Sequence, residues 1–234
     1  AASDVYKRQV PYFFNGYWYI TRYEQGKDYP IYIRKKGKLT SNEEVLFDCN
    51  EMAQSFDYFR LVGISVSPDN TKVAFGVDTV SRRQYTIKIK DLKSGKLLET
   101  KIENTTGSSV WAADNATLFY NKKDNQTLRS EAVYKHHIGA PKEADQLVYE
   151  EVDDTYSVYV SASKSREFIF ISSHSTTSSE HRFIRSNHPE ADFKVIQARV
   201  SGLEYDVAHF GNHFYLHTNF NGATNFQIMR TSID

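Results

Sequence analysis

The sequence predicts an all-β fold, a partial β-propeller of antiparallel sheets, on three observations. Aromatic residues are unusually frequent, with 16 Tyr and 15 Phe against 5 Pro and 2 Met. Rings and β-branched side chains favour the half-buried, pleated surface of a strand. Apolar stretches come in pairs joined by a polar turn, and the pairs repeat. Aligned at Asp69, Asp114, Ser163 and Gly211, the turns stand 45, 49 and 48 residues apart, the period of propeller blades with several strands each. A β-sandwich also uses many short strands, but the long, regular period favours the propeller.

The pairs can be followed along the chain. Val66-Ser67-Pro68-Asp69-Asn70 leads into Lys72-Val73-Ala74-Phe75, and Trp111-Ala112-Ala113-Asp114-Asn115 into Thr117-Leu118-Phe119-Tyr120. Val160-Ser161-Ala162-Ser163-Lys164 precedes Glu167-Phe168-Ile169-Phe170-Ile171, and His209-Phe210-Gly211-Asn212 precedes His213-Phe214-Tyr215-Leu216. Pro-Asp-Asn and Gly-Asn supply the backbone angles of tight hairpins. Tyr85–Lys90 alternates with period two, as a half-exposed strand should, and Asp91–Lys96 turns the chain after it. Phe168–Ile171 is apolar on both faces, which suits an inner strand between neighbouring blades. Helix signals are few: Ser41-Asn42-Glu43-Glu44 reads as a capping box and Asn50–Ala53 as the start of a short turn. At the observed period, Gly16 to Asp234 holds about four blades and part of a fifth. An arc of that size leaves blade faces and strand edges uncovered, so a truncated propeller that self-associates is expected.

Residues 1–9 show no periodicity and read as a leader foreign to the fold, leaving 10–234 as one propeller domain. Lys plus Arg equals Asp plus Glu, at 29 each. No global field therefore recruits nucleic acid or an anionic membrane, and no apolar run approaches the length of a membrane span. A single cysteine, Cys49, forms no internal disulfide. That fits either a reducing compartment or an exported protein without staples, so cytoplasm and periplasm both stay open.

Gly16-Tyr17-Trp18-Tyr19 with Arg22, Gly26–Pro30 and Arg34 resembles the first blade of the prolyl oligopeptidase family. Other stretches resemble its oligopeptidase B (protease II) branch: Glu44–Glu51, Val66–Asn70, Ser81-Arg82-Arg83-Gln84-Tyr85, Leu147–Glu151 with Asp153-Asp154-Thr155, and Asn219-Phe220 with Asn225-Phe226. The resemblance runs in order from Gly16 onward. It implies a two-domain serine peptidase in which a seven-bladed propeller covers an α/β-hydrolase domain and restricts access to short peptides. Cleavage after Lys or Arg by a Ser-His-Asp triad is implied, with that triad in a C-terminal hydrolase domain that this chain does not include. The implied partners are short peptide substrates and that hydrolase domain. The alternatives are a non-catalytic propeller that serves as a protein-interaction platform and a proline-specific relative.

No residue of this chain receives a catalytic, cofactor or metal assignment from the sequence. Gly63-Ile64-Ser65-Val66-Ser67 lacks the second glycine of a nucleophile elbow and leads into a strand instead of a helix. His209, His213 and His217 are spaced by four, but Gly211-Asn212 turns the chain between them; a hairpin results, with His213 and His217 on one strand face. His174, His181 and His188 fall every seven residues in a Ser/Thr-rich stretch and read as ordinary strand and loop residues. Glu150-Glu151-Val152-Asp153-Asp154 is the densest acidic run. It reads first as a solvated loop, and its sharper reading is a rim that attracts a cationic peptide. The pairs Arg82-Arg83 and Lys35-Lys36 are too small for nucleic acid. Trp111 reads as core, and Cys49 lacks the basic neighbours of a reactive thiol.

Overall fold

The computed structural model describes residues 9–233. The leader expected over 1–9 therefore lies outside the described residues, Gln9 excepted. Two compact units divide the chain, one on residues up to Leu61 with Asp78–Arg82, the other on Val62–Val77 and Arg83 onward.

The first unit holds an antiparallel sheet of β1 (Tyr12–Phe14), β2 (Tyr17–Arg22), β3 (Ile31–Lys36) and β4 (Glu43–Asp48), in sequence order. Its β3 carries a buried Arg34 whose guanidinium lies 4.0 Å over the Tyr17 ring. Here the expected capping box fails. Glu43 and Glu44 stand in β4 opposite Lys35 and Arg34, and Glu44 receives Arg34 Nε and Nη2 at 2.7 and 2.9 Å. A buried guanidinium needs that carboxylate more than a helix start does. The short turn is present one residue early: α1 (Cys49–Ala53) is capped by Asp48, whose side chain accepts from Asn50 N and Glu51 N.

In the second unit, save for the strand ends Arg60, Leu61 and Asp78, β5 (Arg60–Val66), β6 (Lys72–Asp78), β7 (Tyr85–Asp91), β8 (Leu97–Trp111), β9 (Thr117–Lys123), β10 (Ser130–His137) and β11 (Gln146–Glu150) form one seven-stranded sheet. It is two blades sharing a strand. The first half of β8 pairs β7 and its last residues pair β9, with a register shift between Thr105 and Ser109. Gly107, at φ +84°, makes the bend. A Cβ on Gly76 would stand 2.4 Å from Gly107 Cα, and one on Gly63 2.2 Å from Gly107 O. Three glycines thus let the backbones of β5, β6 and β8 close up at the bend.

A four-stranded sheet follows, β12 (Ser157–Ala162), β13 (Phe168–His174), β14 (Ser179–Arg185) and β15 (Lys194–Gln197), and then a three-stranded one, β16 (Tyr205–Phe210), β17 (His213–Thr218) and β18 (Gln227–Ser232). Among the described residues this makes four blades and three strands of a fifth, and no sheet closes on itself. All four turns used to find the period join the first and second strands of a blade. Tyr85–Lys90 lies in β7, and Phe168–Ile171 is buried in β13.

Neighbouring blades of this unit pack through apolar seams. Val110, Phe119 and Val133 meet Val158, Val160, Ile169, Ile171 and Ile184. Further along, Phe168, Phe170 and Phe214 form an aromatic cluster, with Phe214 centroids 5.1 and 5.6 Å from the other two and 4.8 Å from Phe183. Each fully buried ring contributes about 1.5–3 kcal/mol of transfer free energy.

Candidate functional site

Antiparallel connections put alternate loops at opposite ends of a blade. In the second unit one end therefore gathers the loops 124–129, 151–156, 175–178, 198–204 and 219–226. The acidic run sits at this end, and the structure divides it. Glu150, Val152, Asp153 and Asp154 are exposed, while Glu151 is 3% exposed. The solvated-loop reading is therefore wrong for Glu151, because a network of partners takes it out of water.

Arg199, from the loop between β15 and β16, spans two carboxylates. Its Nη2 lies 2.7 Å from Glu151 Oε2 and 3.2 Å from Glu180 Oε1, and its backbone N–H donates to Glu180 Oε2 at 2.9 Å. Tyr149 Oη donates to Glu151 at 2.9 Å, and Arg182 reaches Glu180 at 2.6 Å. The two guanidiniums stack on aromatic faces, Arg182 at 4.2 Å over Tyr149 and Arg199 at 4.0 Å over Tyr156. Arg129 donates to the carbonyls of Tyr156 and Glu151 at 2.9 and 3.2 Å, holding the 151–156 loop from beneath. Burial alone would push the Glu151 carboxyl up; hydrogen bonds from Arg199, Tyr149 and the Asp153 N–H outweigh it and hold the group below the usual carboxylate range. Glu180 follows the same balance, with Arg199 and Arg182 overcoming its burial. Asp153 is held low by the Thr155 hydroxyl and N–H at 2.6 and 3.0 Å, so it stays ionised on the exposed rim. Beside this rim the loops 198–204 and 219–224 line an open recess of about 400 Å³ whose walls include Val200, Leu203, Phe220 and Ala223.

The remaining candidates fall apart in space or are spent on structure. Ser65 is a strand residue of β5, and its carbonyl accepts Trp111 Nε1 at 2.8 Å. Trp111 is accordingly core. His213 and His217 share a face of β17, whereas His209 pairs opposite Phe214 and faces the other way. Its ring lies 4.6 Å from Phe168 and bonds Ser165 Oγ at 2.7 Å. His188 is exposed beside Glu190, away from His174 and His181, whose rings lie 5.2 Å apart. Among the described residues no group of three His, Cys, Asp or Glu is arranged to hold a metal. Burial pushes the Cys49 thiol up to about 12, which makes it a poor nucleophile.

One arrangement that the sequence did not suggest looks like acid–base machinery. His136 Nδ1 lies 2.6 Å from Asp145 Oδ1, and Tyr120 Oη donates to Asp145 Oδ2 at 2.7 Å. His136 is fully buried opposite Leu118, so no substrate reaches it and the trio serves as a polar staple. Arg199, Glu180 and Arg182 were also missed. Glu180 and Arg182, two apart on one strand face among buried neighbours, were a readable sign; a loop arginine is not.

The chain's resemblances follow the same blades. The family model for the prolyl oligopeptidase N-terminal β-propeller domain matches residues 3–234. Dipeptidyl aminopeptidase BI of Pseudoxanthomonas mexicana is 39% identical over 96% of this chain and 33% of its own length. Protease 2 of Moraxella lacunata is 33% identical over 97% and 34%. Oligopeptidase B from Leishmania major superposes with a TM-score of 0.92 at 29% identity, over 97% of this chain and 33% of its own. The chain thus spans about a third of the length of these relatives.

Proposed function

The chain belongs to the prolyl oligopeptidase family, within its N-terminal β-propeller, and on that premise we propose that it is the gating and scaffolding part of a serine peptidase of the oligopeptidase B type, one that hydrolyses short peptides after Lys or Arg. The observation that carries this reading is the blade-for-blade likeness to an oligopeptidase B over nearly the whole chain. In this reading the propeller admits short peptides and excludes folded proteins, and a hydrolase domain beyond these residues supplies the nucleophile. The exposed Glu150, Asp153 and Asp154, backed by the Glu151–Arg199 network, support a rim that concentrates cationic peptides by their field.

The test is turnover of an Arg-directed chromogenic substrate by the full-length parent, with and without a serine-directed reagent. Turnover that the reagent blocks is expected from the parent, and none from the 234-residue chain alone. No turnover by the parent would leave a binding module. A second reading rests on the relative named a dipeptidyl aminopeptidase: the parent removes dipeptides from a free N-terminus. Blocking the N-terminus of a longer Arg-containing peptide separates the two, since only the endopeptidase still cleaves it.

A further inference from the structure

β14 and β16, the facing strands of two successive blades, are tied at one end by a histidine. His181 is 4% exposed. Its Nε2 lies 2.5 Å from the Tyr205 carbonyl and its Nδ1 2.7 Å from Ser172 Oγ. A carbonyl only accepts, so Nε2 carries the proton in the neutral ring and Nδ1 accepts from the serine. The tie is reinforced around it. His181 N–H donates to Tyr205 Oη at 2.9 Å, Tyr205 Oη donates to Gln197 O at 2.6 Å, and Ser179 Oγ donates to Tyr205 O at 2.9 Å. Tyr205 also begins β16, immediately after the 198–204 loop. The 219–224 loop hangs on the same point through Glu204 N–H to Asn219 Oδ1 at 2.9 Å and Thr218 Oγ1 to Glu204 O at 2.8 Å.

We propose that His181 and Tyr205 form an acid-released latch: protonation of His181 frees the start of β16 from β14 and loosens the two loops that line the recess, while the aromatic cluster at the far end of the seam stays shut. A second proton at Nδ1 turns the ring from acceptor to donor toward Ser172 Oγ and places a charge where water does not reach. The titratable and charged groups around it do not offset that cost. From β13 comes His174, another potential cation, with its ring 5.2 Å away. From β14 comes Glu180, already neutralised by Arg182 and Arg199. From β16 come Asp206 and the Tyr205 phenol, which is itself pushed up by burial. Burial depresses the His181 imidazole to about 4, with His174 pushing the same way and the bond to Tyr205 opposing. Separation of the strands returns the ring to its ordinary value near 6.5. The driving force for opening therefore grows as pH falls from about 6.5 toward about 4. The far end of the seam holds Phe168, Phe170, Phe183 and Phe214, none of which titrates, and the one histidine beside them, His209, is partly exposed with its ring 4.6 Å from Phe168, so it carries no comparable cost of charging.

Hydrogen exchange on the full-length parent reads this directly. After correction for the intrinsic pH dependence of exchange, protection over residues 198–206 should fall about tenfold or more between pH 7 and pH 4.5, reversibly. Protection over 168–171 should hold. His181→Gln keeps a donor for Tyr205 O but does not titrate, and should flatten the pH response; His174→Gln removes a group that holds the His181 imidazole down and should shrink the response. Equal loss in wild type and His181→Gln, or no loss in wild type, would overturn the latch. If His181→Gln does not fold, the NMR titration of the wild-type His181 ring decides: a midpoint near 6.5 overturns the proposal, and one well below supports it.

Discussion

Removing the Arg199 guanidinium leaves Glu151 and Glu180 as two carboxylates in a place that solvent scarcely enters. Breaking a buried pair by deleting one partner costs far more than the pair contributes, because the charge left behind has lost its hydration. Arg199→Ala is therefore expected to destabilise the chain by about 3 kcal/mol at pH 7, read as a fall in urea midpoint at unchanged m-value. Deleting the exposed Lys27–Glu24 pair should give no measurable change. The pH dependence follows from the carboxyls. Both are held below their unfolded value near 4.5. Their contribution is thus complete above that value and is lost as pH falls through the depressed folded values. In Arg199→Ala the depression weakens, with Glu151 left to Tyr149 and Glu180 to Arg182, so the gap between variant and wild type should narrow steadily below pH 4.5. A gap that stays constant down to pH 3 would mean that the arginine acts through its packing on Tyr156 instead of its charge.

At the scale of the element, the bend in β8 makes a sharper demand than any turn. Gly76 has no unusual backbone angle, yet a methyl there meets the main chain of Gly107 at 2.4 Å. Backbone cannot rotate aside as a side chain can, so Gly76→Ala should cost about 2–3 kcal/mol. Gly95, at φ +71° in an open turn with nothing within 4 Å, should cost about 1 kcal/mol on the same change. Denaturation midpoints of the two variants check the ranking, and equal losses would refute the close-approach account. This contrast also marks what a sequence can reveal. The hairpin turns were legible because Pro68-Asp69-Asn70 and Gly211-Asn212 act locally. The shared strand β8 was not, because Leu97–Trp111 bends at Gly107 and the bend is accommodated by two glycines on other strands, far away in sequence. The false capping box at Ser41–Glu44 failed for the same reason: its glutamates answer to Arg34 across the sheet. The acidic run was visible as charge, but its division into one buried carboxylate and three exposed ones depends on a loop arginine 48 residues away.

For the whole molecule, the consequential surface is the sheet of β16, β17 and β18. Its two faces differ because side chains alternate. Phe214 and Leu216 point into the aromatic seam. Phe210, Tyr215 and Ile228 share the other face, as the pairings Phe210 with His213, Ala208 with Tyr215 and His217 with Ile228 require. On that face Phe210 is 77% and Ile228 75% exposed. The same sheet has three strands where the sheet of β12 to β15 has four, and β18 is exposed along its whole length at the edge. An apolar face beside an exposed edge strand is a template for another chain. Expressed alone, the chain should therefore self-associate, with a sedimentation coefficient that rises across a concentration series. Ile228→Lys together with Phe210→Lys should lower that association while leaving the melting of the β12–β15 blade intact, since neither side chain enters its core. A sharp, concentration-independent monomer with cooperative melting would sink this prediction. It would mean that backbone groups at the β18 edge are adequately served by water and that the exposed rings are too scattered to act as one patch.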